Sequence, residues 1–325
     1  MITGWVGMRV SLADAIALLK RGEVVAIPTE TVYGLAGDAQ NESALHKIYA
    51  TKQRPANNPL IVHIASAAQV DDFASEFPPL AQKLGLAFWP GPFTLVLKAK
   101  PTVSTVVRAG EPTVALRVPA HPLTLQLLQE SGLALAAPSA NRYTQLSPTT
   151  AAHVESSLGQ DIPVLDGGAC QVGIESTIVS VDGDTWQLLR HGMITQAQIE
   201  AIAGKPALAH AMATPKAPGQ HLLHYSPRTP TQLFDDYIEL QKYAQTHQDC
   251  ATLLIGNVTT NLNSGFQHCI ALSDTPAEVA EYLYESLHKL DQLQASTILI
   301  LLPPNLPEWA AIRDRLTRAG YRENL

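Results

Sequence analysis

The chain has 325 residues, of which 46% are apolar and 16% are charged. At roughly 150 residues per domain, this length and apolar content predict two domains with their own cores. The net charge of −7 is concentrated near the C-terminus: residues 1–232 hold 16 basic and 17 acidic side chains, and residues 233–325 hold 6 and 12. An acidic second part is a poor platform for phosphate backbones, so neither part is predicted to be a dedicated nucleic-acid binder.

Membrane and secreted classes are disfavoured by the apolar pattern and by cysteine usage. No apolar run approaches the roughly 20 residues of a membrane span, and we expect no secretory leader after Met1. The three cysteines, Cys170, Cys250 and Cys269, are far apart and form no CxxC pair. We therefore expect a cytoplasmic protein without a disulfide framework or a structural zinc ion.

Predicted helices and strands alternate through the first part of the chain. Ser11 is predicted to cap a helix that ends at Gly22, and Asn41 is predicted to cap a second helix. Aliphatic segments, several of them apolar on both faces, predict the strands of a covered sheet. These segments are 23–28, 59–65, 93–99, 113–119, 133–138, 176–182 and 186–192. So many strands with few long helices predict a mixed α/β sheet.

A proline-rich stretch separates this part from the rest of the chain. Residues 205–230 contain five prolines and no apolar periodicity, which predicts an extended functional arm. Short aliphatic strands then alternate with helices around Leu240, 279–290 and 309–318, as in a small parallel, Rossmann-like α/β domain. The predicted organisation is a catalytic domain at 1–206, a linker at 207–232 and the small domain at 233–325.

The segment 27–39, IPTETVYGLAGDA, follows a predicted buried strand with a turn rich in hydroxyl groups. Thr29, Glu30, Thr31 and Tyr33 are expected where a sheet delivers its loops to a ligand crevice. A well-capped turn explains the same residues without a ligand.

Basic residues follow in two further segments. Lys52 and Arg54 end a predicted helix, where they complement the helix C-terminus or clamp a polyphosphate. His63 lies in an apolar strand and is more typical of a satisfied core residue than of a catalytic one. Arg117 lies in a buried strand and needs an anion, either an internal carboxylate or a bound one.

The segment 137–150, APSANRYTQLSPTT, opens from a predicted strand end into small polar residues. Ser147 and Pro148 are predicted to begin a helix, where Ser147 either caps the helix or contacts phosphate or base. Ser176 and Thr177 in GIESTIV, and Arg190 in LLRHG, complete the polar set.

Five of these strings occur in order over residues 28–180: PTETVYGL, KxRP…NPLIVH, TVALRVP, APSAN…SPT and GxESTIV. Together they resemble the YrdC-type threonylcarbamoyl-AMP synthases. The segment 217–227, APGQHLLHYSP, resembles the linker of that family's longer, two-domain form. The chain departs from the family pattern at Gln53, where glycine is common, and at Tyr143-Thr144, which replace Ser-Gly. Ala217 and Gln220 replace the usual serine and methionine.

The resemblance implies a twisted mixed sheet with a large positive cavity, followed by a Rossmann-like domain. It implies an enzyme that converts L-threonine, bicarbonate or CO₂, and ATP into threonylcarbamoyl-AMP and pyrophosphate. The product would serve threonylcarbamoyladenosine formation beside the tRNA anticodon, through a downstream tRNA threonylcarbamoyltransferase complex. Stable tRNA binding is not expected. Mg²⁺ is expected to bind mainly through the ATP phosphates, without protein side-chain ligands.

The resemblance also assigns residues. Those implied to surround threonine are Thr31, His63, Arg117, Ala137 and Thr177. Those implied to contact ATP are Arg54, Asn58, Thr113, Ser139, Ser147, Arg190 and Tyr225. Lys52 and Arg54 are the implied catalytic residues, which neutralise phosphate charge.

The linker is predicted to be a lid, with Pro218-Gly219 as its hinge and His221, His224 and Tyr225 grouped in its middle. The alternative is that Tyr225 only packs against one domain. Two other functions stay open. One is an RNA-binding or ribosome-associated module that uses the same cavity. The other is a carbamoyl-transfer domain, although the acylphosphatase and zinc-finger modules of such systems are missing from the sequence.

Overall fold

The computed structural model describes residues 8–206, 215–219, 224–256 and 266–320. The helices of the first part are α1 Leu12–Lys20, α2 Glu42–Lys52, α3 Val70–Phe73, α4 Pro79–Phe88, α5 Pro122–Ser131, α6 Ala151–Leu158 and α7 Gln196–Ala203. Its strands are β1 Val25–Ile27, β2 Gly34–Asp38, β3 Ile61–His63, β4 Phe93–Lys98, β5 Thr113–Arg117, β6 Leu135–Ala136, β7 Thr177–Asp182 and β8 Thr185–Arg190.

These strands form one eight-stranded sheet in the order β1-β2-β6-β3-β5-β4-β7-β8. The pairs β3·β5 and β4·β7 are parallel, whereas the other neighbours are antiparallel, which confirms the predicted mixed sheet. Because β4 runs against β5, the ends of β3 and β5 meet the starts of β4 and β7 at one edge. His63, Arg117 and Thr177 are therefore brought to the same edge of the sheet.

The two faces of this sheet are covered differently. Side chains alternate along a strand, so Val62, Leu95 and Leu116 face the large apolar core that also contains residues of α2 and α4. Ile61, Val96, Ala115 and Ile178 belong to a small cluster on the other face, with Ala217 of the linker packed among them. The site described below lies on this second face.

The predicted helix caps at Ser11 and Asn41 are confirmed: their side chains accept hydrogen bonds from the backbone N–H groups of Asp14 and Ala44, both at 3.2 Å. The prediction that a helix begins at Ser147 is wrong by a few residues. α6 begins at Ala151 with Thr150 as its cap. The Ser147 hydroxyl instead donates to a carboxylate, that of Glu175, at 2.5 Å.

The second part contains β9 Thr231–Phe234, α8 Tyr237–Thr246, β10 Cys250–Ile255, β11 His268–Leu272, α9 Pro276–Gln292, β12 Thr297–Leu301 and α10 Ala310–Gly320. Its strands form a wholly parallel four-stranded sheet in the order β11-β10-β12-β9, as predicted for a Rossmann-like domain. Among the described residues, no helix has the length and apolarity needed to cross a membrane.

An apolar cluster joins the two domains. Val32, Leu146 and Ile174 of the first domain pack in one buried cluster with residues of α9 and α10, and Tyr225 of the linker is part of it. Gly173 lies against the backbone of α9 so closely that a Cβ atom would collide with it. The domain interface is thus a packed core rather than a loose contact.

Candidate active site

A narrow cavity of about 50 Å³ lies at the edge of the first sheet where β3 and β5 end. Its walls are formed by the loop after β1, by Arg54 just after α2, by the ends of β3 and β5, and by the segments 137–139 and 175–176. Pro218, Gly219, His224 and Tyr225 of the linker line it as well. The cavity is thus much smaller than the large one that the resemblance implies, and linker residues form part of its wall.

The structure brings together many residues that the sequence assigns to the site. Those lining the cavity are Thr31, Arg54, His63, Arg117, Ala137, Ser139, Arg190 and Tyr225. In the sequence they extend from Thr31 to Arg190 in the first domain, and Tyr225 belongs to the linker. This grouping agrees with one shared site, while the role of each residue stays a prediction.

Five assigned residues do not line the cavity. Lys52 is buried behind it, and its Nζ donates to the backbone carbonyls of Ser139 and Asn141, each at 2.5 Å. Thr177 donates its hydroxyl to the Ile194 carbonyl at 2.7 Å.

The remaining three are not part of the cavity lining, although two of them contact residues that are: the Asn58 carbonyl accepts a hydrogen bond from Arg54 Nε at 3.4 Å, and the Ser147 hydroxyl donates to Glu175. Asn58 is half-buried, and its carbonyl accepts a hydrogen bond from the Tyr49 hydroxyl. Thr113 lies at a separate cavity of about 350 Å³, and Ser147 is engaged by Glu175.

Arg117 has an internal carboxylate partner, the simpler of the two alternatives left open by the sequence. Its Nη2 lies 2.6 Å from Glu30 Oε1, and both side chains are buried. Its Nη1 donates to Thr31 Oγ1 at 3.0 Å, and its Nε to the Gly91 carbonyl at 3.2 Å. Arg117 is therefore fixed in place before any substrate arrives.

His63 is buried next to Arg117. Burial and the Arg117 charge lower the pKa of His63 from 6.5 to about 3, so the imidazole is neutral at physiological pH. Among the described residues, its Nδ1 has no hydrogen-bond partner. In a neutral imidazole, this nitrogen can accept a hydrogen bond from a ligand, or donate one when it carries the proton.

Lys52, Arg54 and Arg190 form a cluster of buried cations. Burial lowers the pKa of Arg54 to about 10, and burial together with the Arg54 charge lowers the pKa of Lys52. Within the part of the chain that the structure describes, none of the three makes an ion pair with a carboxylate. Their hydrogen bonds go to carbonyl and hydroxyl oxygens, which carry no full negative charge. Buried charges without an opposite charge are costly, so this cluster favours an anionic ligand.

The linker supplies two aromatic side chains to this cluster. His224 and Tyr225 are buried, with ring centroids 4.0 Å apart in an edge-on arrangement. Arg190 donates from Nη1 to the Pro218 carbonyl at 3.2 Å. The Tyr225 hydroxyl has no hydrogen-bond partner among the described residues, although it lines the cavity. His221 and Gln220 lie outside the described residues.

Sequence reasoning missed two residues of the site. Glu175 was visible only as the charged residue of GIESTIV, directly before a buried strand. Arg315 occurs three residues after Ile312 and one before Leu316, so it lies on the apolar side of α10. A charged residue at such a position signals a buried partner, but that partner is 140 positions away in the chain.

The structure defines a class of two-domain α/β proteins, in which a mixed eight-stranded sheet is followed by a parallel four-stranded sheet. This class can be compared with known proteins. The family model described as "Telomere recombination" matches residues 17–192. The model "Threonylcarbamoyl-AMP synthase, C-terminal domain" matches residues 194–320. The two matches divide the chain between its two sheets.

Relatives and solved structures agree with these matches. The threonylcarbamoyl-AMP synthase of Bacillus subtilis is 40% identical over 321 residues, covering 95% of this chain and 92% of the relative. That of Pyrococcus abyssi is 36% identical and covers 95% and 94%. The crystal structure of P. abyssi Sua5 complexed with L-threonine has a TM-score of 0.86 at 33% identity and covers 97% of each chain. The chain belongs to the threonylcarbamoyl-AMP synthase family, in its two-domain form, and the resemblance drawn from the sequence is confirmed.

Proposed function

We propose that this chain makes threonylcarbamoyl-AMP and pyrophosphate from L-threonine, bicarbonate or CO₂, and ATP, in the cytoplasm. The observation that best supports this is a group of buried cations, Lys52, Arg54 and Arg190, that has no carboxylate ion pair among the described residues and lies near Arg117 at one cavity. A polyphosphate is the ligand that satisfies several fixed cations at once. The relatives' name and the threonine complex of the P. abyssi protein supply the identity of the reaction.

Threonine would bind at the edge where β3 and β5 end. Thr31 and Arg117 offer a hydroxyl and a guanidinium to its carboxylate, and Ala137 offers backbone. The neutral imidazole of His63 accepts a hydrogen bond from the substrate amine without adding charge. Thr177 supports the threonine site from behind the cavity wall, because its hydroxyl donates to the Ile194 carbonyl.

ATP would bind on the side of Arg54, Arg190 and Tyr225. The guanidinium groups neutralise the phosphates, and the unpaired Tyr225 hydroxyl donates to the nucleotide. Lys52 contributes charge from behind the wall and fixes the 139–141 loop through its two carbonyl contacts. We also propose ATP contacts for Asn58, Thr113 and Ser147. These contacts require the linker to move.

The reaction needs no protein nucleophile. The threonine amine attacks the bicarbonate carbon and water is lost, which gives the N-carboxylated amino acid. A carbamate oxygen then attacks the α-phosphorus, and the bond to the β-phosphate oxygen breaks as pyrophosphate leaves. Holding the reactants in line and neutralising phosphate charge are the main contributions of the protein.

Mg²⁺ fits this arrangement through the nucleotide rather than through the protein. Among the described residues, no group of three or more His, Cys, Asp or Glu side chains could hold a metal. The nearby carboxylates, Glu30 and Glu175, are already paired with Arg117 and Arg315. When bound, the ion would neutralise phosphate charge, with ATP oxygens and water as its ligands.

The linker must move to admit ATP. The cavity of about 50 Å³ is far smaller than the roughly 300–1,000 Å³ of ordinary ligand pockets. Pro218, Gly219 and the His224-Tyr225 pair of the linker line this cavity. The linker therefore acts as a lid that excludes water from a labile carbamate and adenylate. A downstream enzyme that transfers the threonylcarbamoyl group to tRNA would consume the product.

The decisive experiment measures pyrophosphate release from ATP with threonine and bicarbonate omitted in turn. We expect release only when both are present. Release that is indifferent to threonine would refute the proposal, and ATP-independent, salt-sensitive RNA binding without turnover would favour an RNA-binding module instead. Transfer from carbamoyl phosphate would favour the carbamoyl-transfer alternative.

A further inference from the structure

An ionic contact joins the C-terminal domain to the wall of the cavity. Arg315 of α10 is almost wholly buried, with 1% of its side chain exposed, and its Nε donates to Glu175 Oε2 at 2.9 Å. The Tyr284 hydroxyl of α9 donates to the same oxygen at 3.1 Å. Ser147 donates to the other oxygen at 2.5 Å. Two of the three groups that hold this carboxylate thus belong to the second domain.

Glu175 is also part of the cavity wall. Among the described residues, it is the only carboxylate that lines the cavity. It is followed by Ser176, whose carbonyl and hydroxyl accept hydrogen bonds from Arg190 at 3.0 and 3.1 Å. The negative charge of Glu175 raises the pKa of Arg190 and that of Lys52. Burial lowers both pKa values and is the larger effect.

A negative charge at this wall opposes the binding of a triphosphate. It repels the phosphates and offers the neighbouring cations an internal partner in place of the ligand. Burial tends to raise the pKa of Glu175, but the charges of Arg315 and Arg190 outweigh it, so the carboxylate stays ionised. The charge must therefore be neutralised by a group that is not itself needed for the phosphates.

We propose that Arg315 is a positioning residue for the nucleotide: by pairing with Glu175 from the second domain, it keeps this carboxylate from offsetting the positive charges of Arg190 and Lys52, which then act on the phosphates. This inference rests on the proposed function, because it assumes that the cationic side of the cavity binds ATP. It gives the C-terminal domain a definite part in that site. The competing explanation is that the Arg315–Glu175 pair only fastens the two domains together.

The experiment compares four full-length proteins: wild type, Arg315→Met, the double variant Arg315→Met with Glu175→Gln, and Arg313→Met. Arg313 is the matched control, because it lies on the same helix but pairs with Asp235 inside the second domain. Dissociation constants are measured for a non-hydrolysable ATP analogue and, separately, for L-threonine. Binding is independent of turnover, so a wild type that binds both ligands without releasing pyrophosphate would refute the proposed function and still leave this inference testable.

We expect Arg315→Met to weaken binding of the analogue by about tenfold or more, while threonine binding changes by less than about twofold. The double variant should return analogue binding to within about threefold of wild type, because it removes the uncompensated carboxylate. Arg313→Met should bind both ligands as wild type does. Equal losses for both ligands in Arg315→Met, or a double variant no better than the single one, would overturn the proposal.

Folding is followed by thermal melting of each protein. If Arg315→Met does not fold, the double variant decides the matter, since replacing both charges by neutral side chains is far less damaging than removing one. Analogue binding close to wild type in the double variant then supports the proposal. Asp314, which also pairs with Arg315, keeps its ion pair with Arg318 in that variant. A loss of about tenfold or more there overturns the proposal.

Discussion

The neutral state of His63 has a measurable consequence for stability. The unfolded chain protonates this imidazole as the pH falls below 6.5, whereas burial and Arg117 keep the folded protein from doing so until about pH 3. Because the unfolded state binds the extra proton, stability is complete above pH 6.5 and is lost progressively as the pH falls from 6.5 towards 3. At pH 5 the loss due to His63 is about 2 kcal/mol.

The assay is urea denaturation, followed by circular dichroism, of wild type and His63→Asn at pH 7.5 and pH 5.0. The quantity compared is the difference in unfolding free energy between the two pH values within each protein. We expect this difference to be about 2 kcal/mol smaller in His63→Asn, because its amide does not titrate. His46→Asn is the control, since His46 is exposed on α2 and away from the cavity. Equal pH dependence in wild type and His63→Asn would refute a buried neutral imidazole at this position.

Three further predictions concern ligand affinity and one strained turn. Arg54→Ala should mainly raise the KM for ATP and Arg117→Ala that for threonine, each by about tenfold to a hundredfold, as measured by pyrophosphate release. Tyr225→Ala should lower both nucleotide affinity and turnover, because it opens the lid and removes a ring that lies 5.1 Å from the Arg315 guanidinium. Gln53→Gly should raise the unfolding free energy by about 0.5–1 kcal/mol in urea, because Gln53 caps α2 with a left-handed φ of 53°.

Each of these predictions has a defined contrary result. A reversed pattern of KM changes between Arg54→Ala and Arg117→Ala would overturn the assignment of the two ends of the cavity. Full turnover and nucleotide affinity in a folded Tyr225→Ala would make the linker a simple connector. A less stable Gln53→Gly would mean that Gln53 makes contacts worth more than the strain. Lys83→Ala, on the exposed side of α4, is a surface control for the set.

Periodicity and capping were enough to predict most elements of the fold. Ser11 and Asn41 act locally, through N–H groups three residues away, so the sequence alone specifies them. β2 was missed, because its sequence GLAGD has two glycines and an aspartate, which are rare in strands. It is a strand because β1 and β6 pair with it on either side, and such pairing is not visible in a local pattern.

The site was less predictable than the fold. The ordered motifs pointed to Arg54, His63 and Arg117, and the structure places them around one cavity. Which groups satisfy them depends on contacts between distant parts of the chain. The pairing of Arg315 with Glu175, and the position of the linker inside the cavity, both depend on how the two domains pack. Neither composition nor spacing specifies that packing.

The shared apolar cluster should make the two domains one cooperative unit in thermal unfolding. Val32, Leu146 and Ile174 are buried against Leu283 and Ile312 of the second domain, so separating the domains would transfer this surface to water. Neither domain keeps its full core without the other, and the cost of separation adds to the cost of unfolding each part. The chain should therefore melt in a single calorimetric transition, and a cavity created in α9 should lower the melting temperature of the eight-stranded sheet as well.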